Sequence, residues 1–300
     1  MIERRLLITG AGGQLAEALG HLLSDDSSCV FASREDLDIT DAVQVRSAIN
    51  SASCECIVNA AAYTAVDSAE TSPDAAFAVN AEGPRILAEE CRVSGVRLVH
   101  VSTDFVFDGD SNRPYRTSDP TRPLSVYGRS KLAGEEAVSE VLADSGLIVR
   151  TSWLYGGVAG NFVTTMLRLM DSKDEISVVA DQFGTPTWSA TLASRLLDLT
   201  KSGEGGIHHV TDSGSATWYD FAVSIRDIAI DLGLIVRQPS IHPIPTEGYP
   251  TPAVRPRFSV LDKSRADRLL GGCAPHWRTS LEGCLASSGM QSHVRNRNGG

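Results

Sequence analysis

The apolar run Leu6-Leu7-Ile8 leads straight into Thr9-Gly10-Ala11-Gly12-Gly13-Gln14-Leu15-Ala16, after which apolar residues recur at helical spacing. A strand that turns this sharply into a helix constrains the rest of the chain. Glycine is needed where the backbone takes positive φ and where it must come close to a ligand. The amides at the helix start then favour an anion such as a pyrophosphate. The spacing reads G-x-x-G-x-x-A through Gly10, Gly13 and Ala16, with Ala16 where a third glycine is usual. One methyl at a contact between helix and strand is a tolerable departure. A plain glycine-rich turn is the bland alternative, and the strand and helix on either side weigh against it.

The same alternation continues. Strands are predicted over 6–9, 29–32, 56–59, 98–102 and 147–150, with helices over 14–23, 41–50 (Thr40 as N-cap), 74–91 and 126–143. Strand-length runs joined by helical crossovers predict an α/β fold, a doubly wound parallel sheet of Rossmann type covered on both faces. Beyond Thr151 the pattern loosens into a smaller, irregular α/β region, with helices expected over 162–170, 190–199 and 218–232 and strands over 176–179 and 207–210. Pro243, Pro245, Pro250, Pro252 and Pro256 exclude a helix or a central strand and predict an ordered loop over a cleft. Residues 1–151 are thus read mainly as a dinucleotide-binding domain. Residues 152–286 are read mainly as a substrate-binding region, with some exchange of chain between the two, and 287–300 as a disordered tail.

Composition narrows the partners. At 300 residues the chain can bury about three quarters of its unfolded surface. Its 27 basic and 37 acidic side chains leave a net charge of −10, which argues against broad binding to nucleic acid or to anionic membranes. Glu3, Arg4 and Arg5 precede an apolar run too short for a signal peptide, and no run approaches the roughly 18 apolar residues of a membrane span. A cytoplasmic protein, monomer or homodimer, is expected. The six cysteines are scattered without C-x-x-C pairs and read as reduced, mostly buried thiols. His100 and the pair His208-His209 lack the spacing of a metal site and read as core or surface residues.

The end of the second strand speaks to the dinucleotide. An acid there binds the ribose 2′-hydroxyl of NAD, whereas arginine accommodates the 2′-phosphate of NADP. Ser33 and Arg34 therefore favour NADPH, with NADH as the alternative should Glu35, Asp36 or Asp38 point into the site.

Tyr127 and Lys131 lie four residues apart, on one face of a predicted helix. A tyrosine, with an ordinary pKa near ~10, is a poor acid-base group at neutral pH until a cation stabilises its phenolate. Lys131 supplies that cation and can hold a cofactor ribose. Y-x-x-x-K alone is a common accident. Here it follows a dinucleotide fingerprint and a strand ending Ser102-Thr103-Asp104, whose hydroxyl can hydrogen-bond a reacting carbonyl. The set resembles the Tyr-Lys-Ser/Thr apparatus of the short-chain dehydrogenase/reductase superfamily.

Within that superfamily the chain is similar to the dTDP-4-dehydrorhamnose reductase family. The resemblance runs through ITGAGGQL (8–15), VNAAAYTAVDSAE (58–70), FAVNAEGP (77–84), VHVSTDFVFDG (99–109), PLSVYGRSKLAGE (123–135), VRTSWLYG (149–156), NFVTTMLRL (161–169), DQFGTPT (181–187), and Arg255-Pro256 with FSVLD (258–262). It implies that Tyr127 gives a proton, that Lys131 lowers its pKa and binds the nicotinamide ribose, and that Thr103 hydrogen-bonds the substrate carbonyl. The implied reaction is hydride transfer from NADPH to C4 of dTDP-4-dehydro-L-rhamnose, so the expected partner is a dTDP-sugar. Charge grows on the carbonyl oxygen as hydride arrives, and a phenol and a hydroxyl are suitable donors to meet it.

By the same resemblance Gly10, Gly12, Gly13, Gln14, Leu15, Ser33, Arg34, Asp38, Ile39, Ala60, Ala61 and Ala62 would contact the cofactor together with Tyr127 and Lys131. Tyr63, Thr64 and Val66 would extend that wall towards the sugar. Asp104 and Trp153 would touch the sugar, and Asn161, Phe162, Gln182 and Arg255 the nucleotide; Asn80 would hold backbone and a proton-relay water. A magnesium ion enters by resemblance only, with no ligands that can be mapped. Phe105 departs from the family, which more often has tyrosine after the Thr-Asp pair, and so bears on which sugar is used. A 4,6-dehydratase would usually carry an acid at that position. Sister dTDP-4-keto-deoxysugar reductases stay open, as does a noncatalytic NADP-binding regulatory subunit, although such a subunit has no need of Thr103, Tyr127 and Lys131 together.

Overall fold

The computed structural model describes residues 5–24, 26–157, 160–287 and 289–291. Strands β1 (Leu6–Thr9), β2 (Val30–Ala32), β3 (Cys56–Asn59), β4 (Arg97–Thr103) and β5 (Leu147–Thr151) join the strand Gly206–His209 in one six-stranded sheet. Its order is β2, β1, β3, β4, β5 and then Gly206–His209, and every pair is parallel. β1 is buried throughout, as a strand covered on both faces must be.

In chain order the helices are α1 (Gln14–Leu22), α2 (Ala42–Ala52), α3 (Val66–Ala69), α4 (Pro73–Phe77), α5 (Gly83–Ser94), α6 (Val126–Leu142), α7 (Phe162–Ser172), α8 (Ser189–Ser202), α9 (Trp218–Asp231), α10 (Ser264–Leu269) and α11 (Trp277–Ala286). Leu15, Ala16 and Leu19 of α1 and Leu192, Leu196 and Leu199 of α8 pack on Leu6, Ile8 and Val99 of one sheet face. On the other face Val45, Ile49, Leu87 and Val138 pack on Leu7, Ile57, Leu98 and Ile148. Ala16, at the position of the usual third glycine, is buried in the first of these cores. A separate core gathers Tyr155, Leu167, Phe221, Ile225, Trp277 and Leu281 from the later part of the chain.

Several local expectations change. Asp41, not Thr40, caps α2: its carboxylate accepts from the amides of Val43 (2.8 Å) and Gln44 (3.2 Å), while the Thr40 hydroxyl is turned to Asp38. The helix expected over 74–91 is interrupted by a wider π turn, Ala78–Glu82, which carries Asn80. Pro243 lies in a strand, Ser240–Ile244, which among the described residues pairs with Glu175–Val179 alone and so is an edge strand, in keeping with the exclusion of a central one. The disordered tail expected from 287 does not hold at Met290, which is fully buried in the core built by the later part of the chain. The expectations at Glu3, Arg4, 288 and 292–300 lie outside the described residues. No disulfide joins any two of the cysteines; Cys54, Cys56, Cys91 and Cys284 are buried and Cys273 is exposed.

Candidate active site

A cleft of about 760 Å³ opens at the carboxyl ends of β1, β3, β4 and β5. It lies over the point between β1 and β3 where the strand order reverses, the usual place for a ligand on an open parallel sheet. Gly10 has φ +77°, and a Cβ there would lie 2.7 Å from the amide nitrogen of Ala61, so a side chain would force β1 and β3 apart. Gly12, at φ +87°, would meet nothing within 4 Å and so borders open space. The Gly13 amide donates to the Gly10 carbonyl (3.1 Å), and α1 begins without a side-chain cap. Its first-turn amides are thus left to a ligand, and this cradle fits a dinucleotide pyrophosphate.

Gln14, Leu15, Ile39, Ala60, Ala61 and Ala62 line the same end of the cleft. Arg34, exposed, and Asp38, half-buried, both reach it, and the Asp38 carboxylate takes the Thr40 amide (2.9 Å) and hydroxyl (2.7 Å). Those bonds, the hydroxyl's first, hold Asp38 below the ordinary carboxylate range. Ser33 is not brought into the lining: its amide (2.9 Å) and hydroxyl (2.6 Å) donate to Asp36, which closes a tight local turn.

The floor is made by β4 and α6. Ser125 caps α6 through the Gly128 amide (3.1 Å), which sets the phase that turns both Tyr127 and Lys131 into the cleft. Lys131 is buried, and its ammonium donates to the Val101 carbonyl (2.7 Å). Burial lowers Lys131 to about 8, with Glu135 pulling the other way. The Tyr127 phenol is pushed up to about 12 by burial, eased by the Thr103 hydroxyl and reinforced by Asp104. Burial is the largest influence on the phenol in this structure. The Thr103 hydroxyl donates to Asp104 Oδ1 (3.1 Å) and accepts the Phe105 amide (3.2 Å). Burial raises the Asp104 carboxyl to about 6, against the Ser259 and Thr103 hydroxyls. Behind this floor Asn80 is buried, accepts the Tyr63 amide (2.8 Å), and donates to the Tyr63 carbonyl (3.0 Å) and the Ser130 hydroxyl (3.0 Å).

The opposite wall belongs to the later part of the chain. Trp153, Asn161 and Arg255 line it, joined by Val66 and Phe105 from the first part of the chain, and Phe105 meets Tyr127 edge-on at 5.6 Å. Asn161 caps α7 through Thr164 and reaches Gln14 Oε1 (3.1 Å), tying the wall to the glycine turn. Arg255 is held by Asp67 through two bonds of 3.0 and 2.8 Å. Gln182 lies outside the lining: its carboxamide accepts from the Trp218 indole (3.2 Å) and donates to Thr246 (3.1 Å). Trp218, which the sequence reading missed, takes a place in the wall, as do Ser152 and Thr151. Only its position at the start of an expected helix beside the wall segments could have hinted at it. Among the described residues no group of three or more His, Cys, Asp and Glu side chains gathers as a metal site. No helix among them is long and apolar enough to cross a membrane.

These features recur in known proteins. The family described as "RmlD substrate binding domain" matches residues 4–290. The dTDP-4-dehydrorhamnose reductase of Streptomyces griseus is 46% identical over 286 residues, covering 92% of this chain and 91% of its own. The dTDP-4-keto-6-deoxy-D-glucose reductase of Streptomyces niveus is 43% identical, covering 92% of this chain and 95% of its own. The crystal structure of the Bacillus anthracis dTDP-4-dehydrorhamnose reductase in complex with NADP superposes with a TM-score of 0.88 at 37% identity, covering 95% of this chain and 99% of its own. With a doubly wound sheet, a glycine turn under a deep cleft and matches over nearly its whole length, the chain belongs to the RmlD substrate-binding-domain family, that of the dTDP-4-dehydrorhamnose reductases.

Proposed function

We propose that the chain reduces the C4 keto group of dTDP-4-dehydro-L-rhamnose to dTDP-L-rhamnose with NADPH. The observation that carries this reading is that Thr103, Tyr127 and Lys131 line the same cleft as the Gly10–Gly13 turn. The bound nicotinamide supplies hydride to C4. The amides at the start of α1 hold the pyrophosphate, and Arg34 takes the 2′-phosphate that separates NADPH from NADH. Lys131, anchored on the Val101 carbonyl, would offer its remaining N–H groups to the ribose.

Tyr127 transfers its proton to the carbonyl oxygen as the C4–H bond forms, so that one hydride and one proton make the alcohol. A phenol held near 12 stays protonated at neutral pH, as a donor must, and releases its proton only when charge grows on the oxygen beside it. Thr103 donates to the same oxygen, and the Lys131 cation stabilises the phenolate left behind.

The second reading is a sister reductase acting on another dTDP-4-keto sugar, as the name of the Streptomyces niveus relative illustrates. Phe105 favours keeping it, because its ring borders the cleft beside Tyr127 with no hydroxyl to offer the sugar. The deciding experiment is NADPH consumption with dTDP-4-dehydro-L-rhamnose, followed by assignment of the stereochemistry at C4 of the product. Turnover confined to a different 4-keto isomer selects the second reading. A protein that binds NADPH but reduces neither sugar, and retains a partner protein, overturns both.

A further inference from the structure

Glu135 and Arg150 form an ion pair that the reaction as described does not use. Each side chain is 3% exposed, and Arg150 Nε lies 2.9 and 3.1 Å from the two carboxylate oxygens while Nη2 lies 2.6 Å from one of them. Taking two charges out of water is costly, and an apolar pair of similar size often serves stability as well. A pair retained at this depth is therefore a pointer to a role beyond packing.

Its position supplies one. Glu135 stands one helical turn beyond Lys131 on α6, and both side chains are buried. Arg150 is opposite Ser102 in the register of β4 and β5, and its guanidinium lies 5.1 Å from the Phe107 ring and 3.5 Å from His209 Nε2. His209 Nδ1 in turn lies 3.2 Å from the Asp262 carbonyl. Arg150 is thus fixed on several sides and holds the carboxylate in place. Of the titratable groups near Lys131, Glu135 lies one turn on and Tyr127 one turn back along its own helix, His100 comes from β4, Asp104 from the short turn after β4 lines the same cleft, and Arg150 of β5 stands behind Glu135. His100 is kept neutral by burial and by the Lys131 charge. Glu135 is the group whose charge acts on the ammonium against burial.

We propose that Glu135, locked by Arg150, is the positioning residue that keeps the buried Lys131 ammonium charged and seated on the Val101 carbonyl. The proposal rests on the role given to Lys131 above, and the test separates the two. The variant is E135Q/R150M in the full chain, which removes the pair together and leaves no lone buried charge. E135Q/R150Q, in which two amides can bond each other, serves if the first does not fold. E135D is the conservative control.

Two readouts are taken. One is the titration midpoint of Lys131 without cofactor, followed by carbon NMR of labelled lysine and assigned with K131R. The other is the alkaline limb of the kcat profile with NADPH. The expected result is a midpoint lower by about one pH unit in the double variant, with the alkaline limb lower by the same amount and E135D close to wild type. An unmoved midpoint in a folded double variant overturns the proposal. A lowered midpoint with an unmoved kcat limb supports it and overturns the catalytic role of Lys131.

Discussion

Trp153 and Trp218 stack face to face, their ring centroids 3.6 Å apart and their planes 6° from parallel. Trp153 holds this pose at φ +45°, a left-handed backbone that a bulky residue adopts only when its surroundings impose it. Gly184 makes room for it, since a Cβ there would lie 2.4 Å from the Trp153 ring. An aromatic pair contributes about 0.5–1.5 kcal/mol beyond the area it buries, so Trp218→Ala and Gly184→Ala should each raise KM for the sugar nucleotide roughly 2- to 10-fold. KM for NADPH should stay within about twofold, because the stack lies on the wall away from the glycine turn. Steady-state kinetics with each substrate varied in turn checks this, and a matched rise in both constants would argue for general unfolding of the site.

Tyr127→Phe removes the proposed proton donor and keeps the ring that packs on Phe105. Turnover should fall by about 10²- to 10⁴-fold, the usual contribution of a positioned general acid. Cofactor affinity, followed by NADPH fluorescence, should be nearly unchanged. Full activity in this variant would remove Tyr127 from the mechanism.

Arg34 reaches the cofactor end of the cleft as an exposed cation, with Asp38 close behind it. Hydrogen bonds to charged groups contribute about 1.5–3 kcal/mol, so Arg34→Ala should cut the ratio of kcat/KM for NADPH over NADH by roughly 10- to 100-fold. A ratio that does not move assigns 2′-phosphate recognition elsewhere.

Asp212 gives a pH dependence of stability. It is fully buried, accepts the Trp188 amide (3.0 Å), and is raised by burial from 3.8 to about 6. Because the folded value lies above the unfolded one, its contribution is greatest below pH 3.8 and is lost as pH rises through about 6. The loss is on the order of 3 kcal/mol. Asp212→Asn should therefore gain stability relative to wild type between pH 4 and pH 7, read from urea unfolding at both. Parallel shifts at the two pH values would refute it.

Sequence reading reached the parts of this molecule that local chemistry dictates. Gly10 announces the turn because its positive φ and its close approach to Ala61 leave no place for a side chain, and Tyr127 and Lys131 announce themselves by helical spacing. Short-range competition hid other parts. Ser33 sits at the right position for a cofactor contact, yet Asp36 three residues on captures both its amide and its hydroxyl. Thr40 and Asp41 are both good caps, and Asp38 takes the Thr40 hydroxyl. Gln182 and Trp218 are distant in sequence, and the bond that puts the indole in the wall and the amide behind it exists only once the later helices pack. Met290 sits in a stretch without periodicity, where a single buried side chain leaves no pattern to read.

The strand Gly206–His209 completes the sheet on the open side of β5, although α7 and α8 intervene in the chain. During synthesis the nucleotide fold therefore emerges with β5 as a bare edge, ready to pair with any other extended segment. That edge is covered only after most of the wall opposite the cofactor has left the ribosome. A fragment cut at the end of β5 would look like a whole domain by its motifs and would behave as an unfinished one, prone to self-association. The two regions are joined by a shared sheet as well as a shared cleft, so neither can be cut away cleanly from the other.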